Sequence, residues 1–184
     1  MVAALCFCLQ QVQTEYRVSQ ALEALQSNDP VIDRLREDDL PAREALYRGM
    51  ALARQAAKLP AGPGRNAVLG DAARLIDQAR DQRPYWGPAL VALSYLNLLR
   101  FGEGDDRTIA AWRSSYRVAP FLRDEADWRI QYALAVWPRI GPDDRRAVAR
   151  EAILLARGSR ALAAHVRVMV SGTALQPLVS GRVW

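Results

Sequence analysis

The chain has 184 residues, of which 51% are hydrophobic and 24% charged, with a formal net charge of +5. That is one domain's worth of sequence with enough apolar side chains to bury a core, and it excludes a disordered, collagenous or many-span membrane protein. Ala, Leu and Arg dominate, all good helix formers, and no run alternates apolar and polar residues between turn signals, so the expected class is all-α.

The start, Val2–Leu9, is apolar and holds both cysteines, Cys6 and Cys8. Residues two apart do not pair readily, and no second cluster has metal-ligand spacing, so neither a disulfide framework nor a metal site is expected. Apolar positions continue at helical spacing through Leu5, Leu9, Val12, Tyr16, Leu22 and Leu25. Two readings stand for residues 1–28. One is a truncated signal-anchor running into a stem helix, with membrane association through residues 1–26; the other is an amphipathic helix docked on the body.

Asn28-Asp29-Pro30 punctuates that helix, and Val31–Leu40 is polar. Asp38 or Asp39 is placed to cap the next helix, with Pro41 in its first turn. Ala45, Leu46, Gly49, Leu52, Ala53 and Ala56 form a stripe that stops at Pro60-Ala-Gly-Pro-Gly64, and Val68, Leu69, Ala72, Ala73, Ile76 and Ala79 form the next, before Pro84. A third helix, expected over Tyr85–Phe101, is apolar almost all round and reads as a buried central helix. Ile109, Trp112, Tyr116 and Ala119 then precede Pro120, and Ala126, Ile130, Ala133, Leu134 and Trp137 precede Pro138. Val148, Ala152, Leu155 and Ala156 lead to a break at Gly158-Ser159. A terminal capping helix through Leu162, Val166 and Met169 ends at Gly172, and residues 173–184 read as an irregular tail. Short connectors make antiparallel hairpins of 42–59 with 65–83, 85–101 with 106–119, and 123–138 with 143–157.

Chemistry-bearing motifs are few. The single histidine, His165, lies beside Val166 and reads as packed or solvated. The pairs Asp38/Asp39, Asp105/Asp106 and Asp143/Asp144 each precede a helix, where carboxylates cap amides and suit the dipole. No nucleophile with a base, no metal cluster and no phosphate loop is present, so the sequence points away from an enzyme and implies no cofactor. The basic residues are nearly all arginine and are spread along the chain, which argues against a nucleic-acid partner and leaves a basic helical nucleic-acid-binding protein as a further alternative.

Two segments repeat one pattern. Ala72, Ile76, Ala79 and Pro84 are spaced like the second helix of a tetratricopeptide repeat, and Thr108, Trp112, Ser115 and Pro120 repeat the offsets. Leu90 and Leu93 fall at the large positions of the intervening first helix, with Ser94 for its glycine and Asn97 for its tyrosine. The chain thus resembles the tetratricopeptide-like superfamily. That resemblance implies an α-solenoid of about three hairpins over 41–172 that binds a protein partner.

A narrower resemblance covers residues 70–157. It rests on Arg83-Pro-Tyr-Trp-Gly-Pro-Ala-Leu90, Trp112-Arg-Ser-Ser-Tyr-Arg-Val-Ala-Pro120 and Ala135-Val-Trp-Pro-Arg-Ile-Gly-Pro-Asp-Asp144. These stretches are similar to small VpsP-type proteins encoded beside bacterial exopolysaccharide clusters. They imply an inner-membrane anchor, a helical domain outside the cytoplasm and a role in polysaccharide production or export; a cytoplasmic adaptor with no polysaccharide link is the alternative. In a repeat of this kind the inner groove would be lined by Tyr85, Trp86, Val91 and Tyr95 from one unit and Asp124, Asp127 and Gln131 from the next. Such a polar and aromatic groove suits an extended peptide, or a sugar chain stacked on the rings.

Overall fold

Prolines and glycines divide the chain into helices because proline lacks an amide donor and glycine tolerates the left-handed region. In the computed structural model, which describes residues 14–23 and 40–183, all regular structure among the described residues is helical. The chain forms two compact units that divide between Tyr85 and Trp86, so the stretch 41–172 is shared between them.

The N-terminal unit holds a helix at residues 14–23 (α1), α2 (Ala42–Lys58) and α3 (Pro63–Gln82). Pro41 sits at the cap position, one residue ahead of the helical turn expected for it. The expected Asp38/Asp39 cap lies outside the described residues. Gly62, at φ +156°, makes the reversal, and Pro63 opens α3.

Helices α2 and α3 meet through small residues. Ala45, Ala53 and Ala56 face Ala72, Ile76 and Ala79, all fully buried. A Cβ at Gly49 would stand 2.9 Å from Ile76 Cγ1 and 3.2 Å from the Ala72 carbonyl oxygen, so only glycine fits this approach. The Leu40 carbonyl accepts hydrogen bonds from Gln78 (3.2 Å) and Gln82 (2.7 Å).

Helix α1 docks on this unit. Val18 and Ala21 are buried, Arg17 Nε lies 3.4 Å from Glu44 Oε1, and Arg43 pairs with Glu15 at 3.3 Å. Among the described residues no helix is long and apolar enough to cross a membrane. This overturns the inner-membrane placement expected from the sequence: residues 14–23 spend their apolar side on the protein. Residues 1–13 and 24–28 of the expected anchor and stem, with Cys6 and Cys8, lie outside the described residues.

The C-terminal unit comprises α4 (Gly87–Phe101), α5 (Asp106–Val118), α6 (Ala126–Ala135), a 3-10 turn (Trp137–Arg139), α7 (Pro142–Arg157), α8 (Arg160–Val170) and α9 (Gln176–Val183). Helix α4 starts two residues later than expected, because Pro88 belongs in a first turn and leaves Tyr85 and Trp86 ahead of it. Helix α6 ends at Ala135 and not at Pro138, which lies in the 3-10 turn. Helices α4 and α5 are tied by Ser94 Oγ donating to the Thr108 carbonyl (2.9 Å) and Asn97 donating to the Arg107 carbonyl (3.3 Å). Trp112, Ile130, Ala133, Val148, Ala152, Val166 and Val170 form the core.

The expected irregular tail is corrected: residues 176–183 form α9. Leu175 and Val179 are fully buried and belong to the core cluster, and α9 packs on α7. Packing supplies what the sequence of this segment lacks, since Pro177 and Gly181 weaken its helical pattern.

Candidate functional site

The groove expected from the sequence is only partly a set of accessible residues. Tyr85 ends the N-terminal unit and is 86% exposed, and Trp86 opens the C-terminal unit half-buried, outside α4. Val91 is a correction: at 4% exposure it is buried, because α4 is apolar almost all round and Val91 lies on one of its buried sides. Tyr95 is half-buried and meets Trp128 of α6 edge-on, with ring centroids 6.0 Å apart. Trp128 in turn stacks on Tyr132 at 5.4 Å, and Tyr132 donates to the Glu103 carbonyl at 2.8 Å. Desolvation first, then Glu103, pushes the Tyr132 hydroxyl up to about 12.

Asp124 and Gln131 are exposed on the turn before α6 and on α6 itself. Asp127 is half-buried, and its Oδ2 lies 2.7 Å from His165 Nε2 of α8. Within the C-terminal unit, therefore, the Tyr95–Trp128 contact joins α4 to α6, and Asp127 and Gln131 flank Trp128 on its own helix.

A second cluster escaped the sequence reading. Arg129 of α6 and Glu151 of α7 are both fully buried, with Arg129 Nε 3.2 Å from Glu151 Oε2. Tyr116 of α5 donates its hydroxyl to Glu151 Oε2 at 2.5 Å, and the Leu122 amide donates to Oε1 at 3.1 Å. The Arg129 guanidinium stacks 3.6 Å from the Tyr116 ring centroid and donates to the Ala119 carbonyl at 3.0 Å. Trp112 Nε1 donates to the Arg129 carbonyl at 3.1 Å.

Burial raises the Glu151 carboxyl above the ordinary glutamate range, while Arg129, the Tyr116 hydroxyl and the Leu122 amide pull it back. Burial and the neighbouring Glu151 charge lift the Tyr116 hydroxyl well above its usual value. Both charged heads are sealed from solvent. The cluster fixes α5, α6, α7 and the turn at 119–122 to one another. The signal for it was a charge on an apolar stripe: Glu151 falls among Val148, Ala152 and Leu155, and Arg129 among Ala126 and Ala133.

The pairs Asp105/Asp106 and Asp143/Asp144 act both at their own helix starts and across to other helices. Asp105 accepts from the Arg107 amide at 2.9 Å and caps α5. The side-chain hydrogen bond from Arg107 leads the effects that hold the Asp105 carboxyl below its usual range. Asp144, in the first turn of α7, accepts from the Gly141 amide at 3.3 Å and takes both Arg113 nitrogens, Nε at 3.1 Å and Nη2 at 2.8 Å. Burial works against ionisation there, but the Arg113 fork and the Gly141 amide outweigh it and keep the carboxyl low. Asp106 pairs with Arg139 at 2.8 Å, and Asp143 with Arg146. Among the described residues no group of three or more His, Cys, Asp or Glu could hold a metal ion.

Comparison of the chain with protein-family models, curated proteins and solved structures finds no match.

Proposed function

We propose that this protein is a non-enzymatic helical-repeat scaffold that binds a protein partner, built from tetratricopeptide-like hairpins in an α-solenoid. The observation that carries the reading is the fate of the repeat positions. Ala72, Ile76 and Ala79, and their counterparts Thr108, Trp112 and Ser115, are all fully buried where two antiparallel helices meet. Small residues at these offsets let helix axes approach closely, which is the packing such a hairpin needs. Ser94, in place of the repeat's glycine, keeps a related role by bonding the Thr108 carbonyl.

In this reading Tyr95, Asp127 and Gln131 present the partner-binding face of the C-terminal unit. A link to exopolysaccharide production rests on the resemblance of residues 70–157 alone. The test installs a photo-crosslinking residue at Gln131 and, as a control, at the exposed Arg74 of α3, in the native host. Adducts formed at Gln131 with a defined protein, and absent at Arg74, support the scaffold. If that protein belongs to polysaccharide assembly, the narrower role stands as well. Equal labelling at both positions, or none at Gln131, would sink the reading.

A further inference from the structure

We propose that the C-terminal unit carries a second docking surface, on the side where the end of α5, the 119–123 turn and α7 converge, for an acidic and amphipathic protein segment. It shares no residue with the Tyr95–Gln131 face and stands or falls separately from it.

The placement follows from the buried cluster. Glu151 is bonded at once by Tyr116 and by the Leu122 amide, so those three residues are fixed at one point. The chain neighbour of each is an exposed arginine: Arg117 beside Tyr116, Arg123 beside Leu122 and Arg150 beside Glu151. Three exposed arginines therefore flank, along the chain, the three residues that meet at a single buried carboxylate, each on a different segment. Arg117 donates to Ser114 Oγ at 2.9 Å, and Arg123 and Arg150 meet no carboxylate among the described residues.

The nearby acids are already engaged: Asp144 is held by Arg113 and is also attracted by Arg117, Asp143 pairs with Arg146, and Glu151 faces Arg129 in the core. Glu125 is half-buried, and Asp124, next to Arg123, is the exposed carboxylate at the rim. Two exposed large apolar side chains belong to the same segments: Phe121, 37% exposed, precedes Leu122, and Leu154, 39% exposed, stands one turn along α7 from Arg150.

This mixture selects the partner's chemistry. Guanidinium forks match carboxylates in a planar, paired geometry. Phe121 and Leu154 gain only from an apolar cover, which a protein segment supplies alongside its acids and a bare polyanion does not. Charge complementarity of this kind sets encounter rate and register, and salt screens it.

The experiment uses the full chain and a fluorescein-labelled helical peptide of Glu and Leu, read by fluorescence anisotropy at low and physiological salt. A short single-stranded RNA and polygalacturonate serve as polyanions without apolar side chains. The expected result is peptide binding that weakens with salt, falls roughly tenfold or more in R117E/R123E/R150E, and falls by a smaller factor in Leu154→Ala. Gln131→Arg should leave it unchanged, which separates this surface from the groove. All five substituted side chains are exposed, and a circular-dichroism melt checks each variant; if the triple variant melts early, Arg150→Ala alone carries the comparison. Peptide binding that ignores these substitutions, or no binding even at low salt, would overturn the proposal. RNA or polygalacturonate binding as tightly as the peptide, with Leu154→Ala neutral, would overturn it in favour of a general polyanion surface.

Discussion

Two ion pairs in the C-terminal unit show how burial decides what a charge is worth. Arg129–Glu151 is sealed on every side, so removing one member leaves the other charged, dry and unpaired. Glu151→Ala should cost about 3–5 kcal/mol, read as a lower urea midpoint by tryptophan fluorescence, because all five tryptophans lie at or beyond residue 86. A midpoint within error of the parent protein would mean that Arg129 finds water in the variant. Asp127–His165 is half-exposed on both sides, and His165→Ala should change stability by no more than about 0.5 kcal/mol in the same assay. Asp144 adds a pH dependence whose sign is fixed. Its carboxyl sits below its usual range in the folded state, so its contribution is present above the ordinary aspartate range and is lost as pH falls through the lowered folded value. Asp144→Asn should accordingly flatten the acid limb of a stability-against-pH curve and leave its slope near neutrality alone.

Helices are delimited here by signals of unequal strength. Gly102, at φ +94°, and the Asp105 cap stop and restart the chain within a few residues, and Ser159 caps α8 by accepting from the Leu162 amide at 3.1 Å. Ser159→Ala removes that acceptor and should lower stability by about 1 kcal/mol, measurable as a fall in melting temperature. A stronger demand acts where α2 and α3 meet. Ala79 is fully buried, so Ala79→Trp should overpack the pair and cost about 1–3 kcal/mol or more by circular dichroism. An unchanged midpoint there would count against the repeat alignment, because the alignment requires a small residue at that position.

At the scale of the whole chain, the C-terminal unit has a core of its own, from Ile109 and Trp112 through Val166 and Val179. Residues 86–184 expressed alone should therefore give a helical circular-dichroism spectrum and a cooperative melt; a gradual, featureless loss of signal would show that this core is insufficient. The helical class, the contact of α2 with α3, α4 with α5 and α6 with α7, and most helix ends were legible in the sequence, because a 3.6-residue period and proline or glycine breaks are local properties. The same local information placed Ala72, Ile76 and Ala79 inside. Segments whose helicity depends on a neighbour were not legible: α9 has no clear stripe and packs on α7, with Val179 in it and Leu175 just before it buried. Nor did the pattern show that Val91 is core and not groove, since an all-apolar helix does not reveal which side faces out. Arg129 and Glu151 were visible only as charges on apolar stripes. Period and composition alone determined that this protein is built of short, closely packed helices. Which charges meet across them was decided by the tertiary structure, because partners such as Arg113 and Asp144, or Asp127 and His165, become neighbours only when distant helices pack.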